Sequence, residues 1–361
     1  MKRIYKLLRN PPLFFRDYFN KRYPVIRNEL KCPEEEEYIL IKNDLILESL
    51  MDNHFKIDVV FTWVDNQDPD WQLKFESFKS TTTFSEGEYA KDSARFTNHN
   101  ELYYSLKSIQ KNLSWVNKIY LITDSQKPSW IKQFNNVTIV DHREIIPDCY
   151  LPTFNSHVIE AFLHKIHGLN ENFIYFNDDV IVARPLPAGH FFKSNGIASL
   201  FVALKDLNKM AEKGVDTPTL HASLRSIELL RRYFRSDINN PLVHTYLPLK
   251  VSMYKEVWRL YEKEIEGFLI HKFRNNYDLN LATFLVPWFT YLKGHAVQSR
   301  DICYYFNVRS PAAKSVYNSL SQEKKEGLYP HSICPNDFNT KTTNLKHYDI
   351  LLKKNLNELI E

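Results

Sequence analysis

Glycine is scarce in this chain, with 8 among 361 residues, and there are only 4 cysteines. The shortage of glycine removes the usual phosphate-cradling loops: neither a Walker motif nor GxGxxG occurs. Cys32, Cys149, Cys303 and Cys334 lie far apart and form no CxxC pair. That excludes a cysteine zinc site and a disulfide framework, and it fits a reducing compartment. The basic N-terminal stretch MKRIYKLLRNPPLFFRDYFNKRYPVIRNELK has no uninterrupted apolar core, so neither a signal peptide nor a membrane span is expected.

What the chain does have is apolar and aromatic mass. Hydrophobic residues make up 43%, and 24 Phe and 21 Tyr bring the aromatic share to 14%. This is enough for one large core, with or without an inserted segment. Charge is concentrated at one end. Residues 1–31 hold nine Lys or Arg against Asp17 and Glu29, a net of +7, so the chain's overall +4 leaves −3 for the rest. Nucleic acid is therefore not an expected partner, since the body is not basic. For the arm itself two expectations stand side by side: Lys and Arg on anionic headgroups with Leu7, Leu8, Leu13, Phe14, Phe15 and Tyr18 inserted, or a helical arm packed on protein.

After the acidic run Glu34–Glu37, the folded body is expected from about residue 55. Apolar runs then alternate with helical periodicity. Strands are expected over 57–63, 118–124, 136–142 and 172–182, and helices over 100–113, with Leu102, Leu106, Ile109 and Leu113 on one face, and over 155–166. The alternation predicts an α/β fold, a mostly parallel sheet flanked by helices, Rossmann-like or GT-A-like, with a helical segment at about 200–290 inserted. Ligands in such sheets bind at the carboxyl ends of the strands. There the sequence supplies Asp65, Asn66 and Asp68, then Thr123, Asp124 and Gln126, then Asp141 and His142, then Asn177, Asp178 and Asp179. A lone Asp after a strand is more often a helix cap, but four such exits together favour a site. Adjacent residues of a strand face opposite ways, so Asp178 and Asp179 share a task only if the strand breaks at Asn177. Clustered carboxylates suit a hard cation such as Mg²⁺ beside phosphate.

Longer strings resemble a known family. IDVVFTWVDNQDPDW (57–71), RFTNHNELYYSLKSIQKNLSWVNKIYLITDSQKPSWI (95–131) and LPTFNSHVIEAFLHKIHGLNENFIYFNDDV (151–180) are similar to the first two conserved regions of the Stealth family. HTYLPLKVSMYKEVW (244–258) with HKFRNNYDLNLATFLVPWF (271–289), and ICPNDFN (333–339), match later regions more loosely. The resemblance implies transfer of a hexose 1-phosphate from a UDP-sugar to a hydroxyl of a capsular polysaccharide, with release of UMP and Mg²⁺ or Mn²⁺ as cofactor. It implies a catalytic acidic pair at Asp178 and Asp179, one of them a metal ligand or general base, with Asn177 beside them. It implies a donor-binding turn at Asp65, Asn66 and Asp68, with Arg95, Asn100 and Glu101 contacting donor phosphate or orienting the loop. His244 is the implied base or phosphate donor, and Arg274 the charge stabiliser. Asn336 and Asp337 would complete the shell of a metal held chiefly by Asp179.

Other expectations concern further side chains, the organisation of the chain and its place in the cell. His157, Glu160 and His164 share a helix face, but the HExxH order is absent, which favours a structural or acceptor-facing role. Arg225, Arg231, Arg232 and Arg235 would draw in a polyanionic acceptor, or simply form a solvated face. The divisions expected are a basic arm and linker (1–54), a catalytic domain (55–340) and a C-terminal helix (341–361). Initiation and acetylation would fall to other capsule-assembly proteins. The enzyme would sit on the inner face of the cytoplasmic membrane, where UDP-sugars are available. The alternatives are a metal-dependent GT-A glycosyltransferase releasing UDP and a non-catalytic carbohydrate-binding protein.

Overall fold

The computed structural model describes Leu7, residues 11–22, Ile39, Asn43, and residues 46–79, 96–326, 329–337 and 345–360. Its strands, in chain order, are β1 (Ile57–Thr62), β2 (Ile119–Thr123), β3 (Val137–Asp141), β4 (Asn172–Asn177) and β5 (Ile181–Val182). They continue with β6 (Ala198–Phe201), β7 (Leu247–Lys250), β8 (Ala296–Ser299), β9 (Cys303–Asn307) and β10 (Ser332–Asn336). The main sheet has the order β3-β2-β1-β4-β7, with β1 to β4 parallel and β7 antiparallel to β4. A second sheet, β5-β10-β9, and a small β6-β8 pair complete the set.

Why the central strands read as unbroken apolar runs is plain from their faces. On β1, β2 and β4, Val60, Tyr120, Ile122, Phe173 and Tyr175 point into one core, beneath the helices Ser156–Ala161, Pro218–Phe234, Val251–Leu269 and Val286–Leu292. Their neighbours Val59, Phe61, Ile119, Leu121, Ile174 and Phe176 point into a second core, against Leu102, Leu106, Ile109 and Leu113 around helix Glu101–Asn112. A parallel sheet covered on both faces has no polar side. Phe61 and Phe176 are fully buried with ring centroids 5.2 Å apart, so truncating either to Ala would cost about 3–5 kcal/mol.

One expected strand divides. The run 172–182 is continuous in sequence, yet β4 stops at Asn177, and Asp178 and Asp179 form a turn in which the Val180 N–H reaches the Asn177 carbonyl at 3.2 Å. The chain then enters β5, which pairs with β10 in the other sheet. The expected helix over 155–166 also changes form, becoming 3₁₀ at Leu163–Lys165.

The segment at about 200–290 contributes β7 to the main sheet, and its helices cover one face of that sheet. The C-terminal helix Tyr348–Ile360 buries Leu352 and Leu356 beside Tyr104, Ile181 and Phe306. Of the basic arm, helix Pro11–Arg22 is described, while most of residues 1–45 lie outside the described residues. No helix among the described residues is long and apolar enough to cross a membrane.

Candidate active site

Strand order 3-2-1-4 makes the chain reverse its winding between β1 and β4, and the crevice at their carboxyl ends is where an open α/β sheet binds ligands. β4 ends there in the Asp178–Asp179 turn. Because the strand breaks at Asn177, the two carboxyls are released from opposite-face alternation. Asp179 faces the second sheet: the Asn336 amide donates to its Oδ2 at 2.7 Å, and the Cys334 thiol donates to the same oxygen at 3.3 Å. His244, exposed, completes a trio in which one ligand-type atom each from Asp179, His244 and Cys334 lies within 4.8 Å of the others. The site thus lies at the seam of two sheets.

Carboxyl groups crowd this seam. Burial, then Asp179 and Glu101, push the Asp178 carboxyl well above the usual range. Glu101 is buried at the start of its helix and is pushed up to about 7, chiefly by burial, despite the counteracting His99. Glu101 Oε2 accepts the His99 main-chain N–H at 2.7 Å, which fixes it in place. Asn100, just before it, adopts a left-handed backbone (φ 69°) and gives no side-chain cap. Arg95 lies outside the described residues.

Arg274 approaches from the β4 face that carries Tyr175. Its Nε donates to Ser156 Oγ at 2.9 Å, Nη2 donates to the same oxygen, and Nη1 donates to Thr219 Oγ1 at 3.3 Å. Neutral hydroxyls therefore hold the guanidinium. Beneath it, the Tyr175 hydroxyl lies 2.9 Å from Thr62 Oγ1 and 3.4 Å from Glu160 Oε1. Burial and then Glu160 keep Tyr175 protonated, its pKa well above the ordinary value. The loop bearing Arg274 is pinned by buried Asp278, which meets His157 Nδ1 at 3.0 Å, His271 Nδ1 at 2.7 Å, Asn155 Nδ2 at 2.9 Å and the Asn275 N–H at 2.9 Å.

Several expected residues have other work. Asp68 caps the helix Pro69–Lys79, accepting the Trp71 N–H at 2.8 Å, and Asp141 forms a capping box with Glu144. Asp65 is braced by two bonds to Gln126, with its N–H and carbonyl at 2.9 and 2.8 Å, while Asn66 Oδ1 is buried there without a partner. Asp337, expected as a metal ligand, is instead committed to an ion pair: Arg309 Nε donates to one oxygen, and Arg309 Nη2 at 3.0 Å and His99 Nε2 at 2.9 Å meet the other. Among the described residues, the ligand-type groups gathered with Asp179 are His244 and Cys334.

His157, Glu160 and His164 do not converge either. His157 serves Asp278, Glu160 serves Tyr175, and His164 stacks on Tyr254 at 5.4 Å. A second buried trio, His190, Asp301 and His331, is a charge cluster. His331 Nδ1 already accepts the Ile302 N–H at 2.9 Å, and Asp301 and Glu48 outweigh burial to hold His190 protonated to about 9.

Sequence reasoning passed over Cys334, Tyr175 and Ser156. Cys334 stands two residues before Asn336, inside a string already singled out, so proximity to that pair was its one signal. Tyr175 and Ser156 carry none, because a strand tyrosine and a helix-start serine look structural.

An acidic turn at the switch point of a mostly parallel sheet, with a histidine beside Asp179, makes this the candidate ligand-binding site of an α/β enzyme. The chain belongs to the Stealth family. Stealth protein CR1, conserved region 1, matches residues 55–81, and Stealth protein CR2, conserved region 2, matches residues 95–200. The capsular polysaccharide phosphotransferase LcbA of Aeromonas hydrophila is 57% identical over 345 residues, 95% of this chain and 96% of that protein. The protein of the same name from Neisseria meningitidis is 54% identical over 346 residues, 94% of each. Among solved structures, an active-site mutant of LgtC superposes with a TM-score of 0.43 and 9% identity, over 84% of this chain and 94% of that one.

Proposed function

We propose that this chain transfers a sugar 1-phosphate from a UDP-sugar to a hydroxyl of a growing capsular polysaccharide. The acceptor oxygen forms a bond to the phosphorus next to the sugar, the bond from that phosphorus to UMP breaks, and the hydroxyl proton passes to a base. The observation that carries this reading is the break of β4 at Asn177, which gathers Asp178 and Asp179 at the switch point. The high identity to named capsular polysaccharide phosphotransferases supports it.

Phosphoryl transfer needs positioning and charge neutralisation more than covalent chemistry. Arg274 suits the second task, because neutral Ser156 and Thr219 orient its planar fork without cancelling its charge. His244, exposed beside Asp179, is in place to take the acceptor proton. Asp65, fixed by Gln126 on the β1 exit, and Asn66 beside it would meet the donor nucleotide. A hard cation, Mg²⁺ or Mn²⁺, fits the crowded carboxyls Asp178 and Asp179, which would hold it and whose mutual repulsion it would relieve. The Cys334 thiol does not fit a hard cation, since burial and Asp179 keep it protonated. When bound, such an ion neutralises the donor diphosphate.

The direct test is incubation with a panel of UDP-sugars and capsule oligosaccharide, followed by nucleotide analysis. UMP is expected; UDP would mean glycosyl transfer instead. Helix Pro11–Arg22 exposes Phe15, Tyr18 and Phe19 within the basic arm, which supports peripheral attachment to an anionic membrane. Deleting residues 1–31 should then move the protein from the membrane fraction to the soluble one.

A further inference from the structure

The basic residues of helix Pro218–Phe234 and its end do not act alike. Arg232 is ion-paired to Glu264 at 3.1 Å, Arg231 donates to Asn239 at 3.1 Å, and Arg235 is the left-handed C-cap with φ 52°. Arg225 is exposed, and among the described residues no carboxylate contacts it. Its guanidinium lies 5.5 Å from the ring centre of Tyr277, which is itself 60% exposed. An exposed arginine with no ion-pair partner among the described residues, set against the ring of an exposed tyrosine, has the chemistry to bind something both anionic and ring-shaped.

Its place strengthens the case. The Tyr277 N–H bonds to Asn275 Oδ1 at 2.9 Å, and the Asn275 N–H bonds to Asp278 at 2.9 Å, so the ring stands on the same pinned loop as Arg274. Arg274 reaches the same helix at Thr219. Thr219 and Arg225 are six residues apart, roughly 9 Å along a helix axis. The platform therefore lies near the arginine assigned to the transferring phosphate, on the loop that carries it and the helix that supplies Thr219.

We propose that Tyr277 and Arg225 form an acceptor subsite for a phosphodiester-linked glycan: the tyrosine ring carries one sugar face, and the guanidinium binds the phosphate of that unit in a bidentate manner. The subsite holds the polymer so that its terminal hydroxyl lies toward Arg274. This rests on the transfer reading above, and it narrows the basic helix to one arginine that acts with an aromatic partner. A ring supplies contact area at little entropic cost, and the arginine above it limits the ring's freedom before the acceptor arrives.

The test is steady-state UMP release with a UDP-sugar and short phosphodiester-linked fragments of capsule polysaccharide. Tyr277→Ala should raise the acceptor KM roughly tenfold while the donor KM and kcat stay within about twofold. Tyr277→Phe should keep the wild-type acceptor KM. Arg225→Ala should raise it roughly fivefold and flatten its dependence on salt. Arg232→Ala, which breaks a surface ion pair, should change neither. An unchanged acceptor KM in Tyr277→Ala and Arg225→Ala, or an effect on the donor KM instead, overturns the subsite. Absence of UMP release by the wild-type protein with every donor would overturn the transfer reading first and the subsite with it.

Discussion

Asp58 and Asp178 lie at opposite edges of one sheet and are treated in opposite ways. Asp58, wholly buried on β1, has both oxygens supplied: Asn117 donates to one at 2.7 Å, and the Asn170 main chain and amide donate to the other at 2.8 and 2.7 Å. Asp178, at the end of β4, stands among Asp179 and Glu101, and its main-chain hydrogen bonds do not offset burial and like charge. The amino edge therefore holds a structural carboxyl group with both oxygens bonded. The carboxyl edge crowds Asp178 with two further carboxyl groups, Asp179 and Glu101. A carboxylate supplied with donors stabilises the fold, and one crowded by its own kind is poised to act on something else.

The largest effect of substitution is expected at the carboxyl edge. Asp179→Asn should lower turnover by roughly a thousandfold or more with no loss of thermal stability. An active Asp179→Asn protein would remove the basis of the contrast. Asp58→Ala should do the reverse: it strands three N–H donors and should cost about 3 kcal/mol in chemical denaturation, with kcat near wild type well below the melting temperature.

A third carboxylate sharpens the comparison through pH. Hydrogen bonds from His157 and His271 outweigh burial and hold Asp278 down to about 2. A depressed carboxylate contributes stability above its unfolded pKa, and that contribution is lost as pH falls through the folded value. Asp278 should therefore contribute about 2 kcal/mol to the stability lost between roughly pH 4 and pH 2, and the acid limb of Asp278→Asn should be shallower than that of the wild type by about that amount in a denaturation series. The smallest effect belongs to a partly exposed pair. Lys74 meets Asp124 at 2.7 Å, and Lys74→Ala should cost under about 1 kcal/mol, less at high salt.

Much of the fold was legible because periodicity is local. Val59, Val60 and Phe61 leave no polar face, and that pattern alone marks a strand covered on both sides. The acids after each strand were legible as a set, but their division was not. Asp68 and Asp141 became caps, and Asp337 became the partner of Arg309, because these choices depend on which N–H or guanidinium arrives from elsewhere in the chain. Cys334 has no CxxC partner in the sequence, yet β10 carries it to Asp179, 155 residues away.

The sequence by itself determined an α/β body, an acidic exit from the fourth strand and membership of a phosphotransferase family, since these are written in short-range pattern and in long matching strings. Only the tertiary structure decided that β4 stops at Asn177, that Asp178 and Asp179 lie at the seam of two sheets, and that Ser156 and Thr219 hold Arg274. Each depends on pairing between residues far apart in the chain. Hydrogen bonds and burial across such distances leave no periodic trace along it.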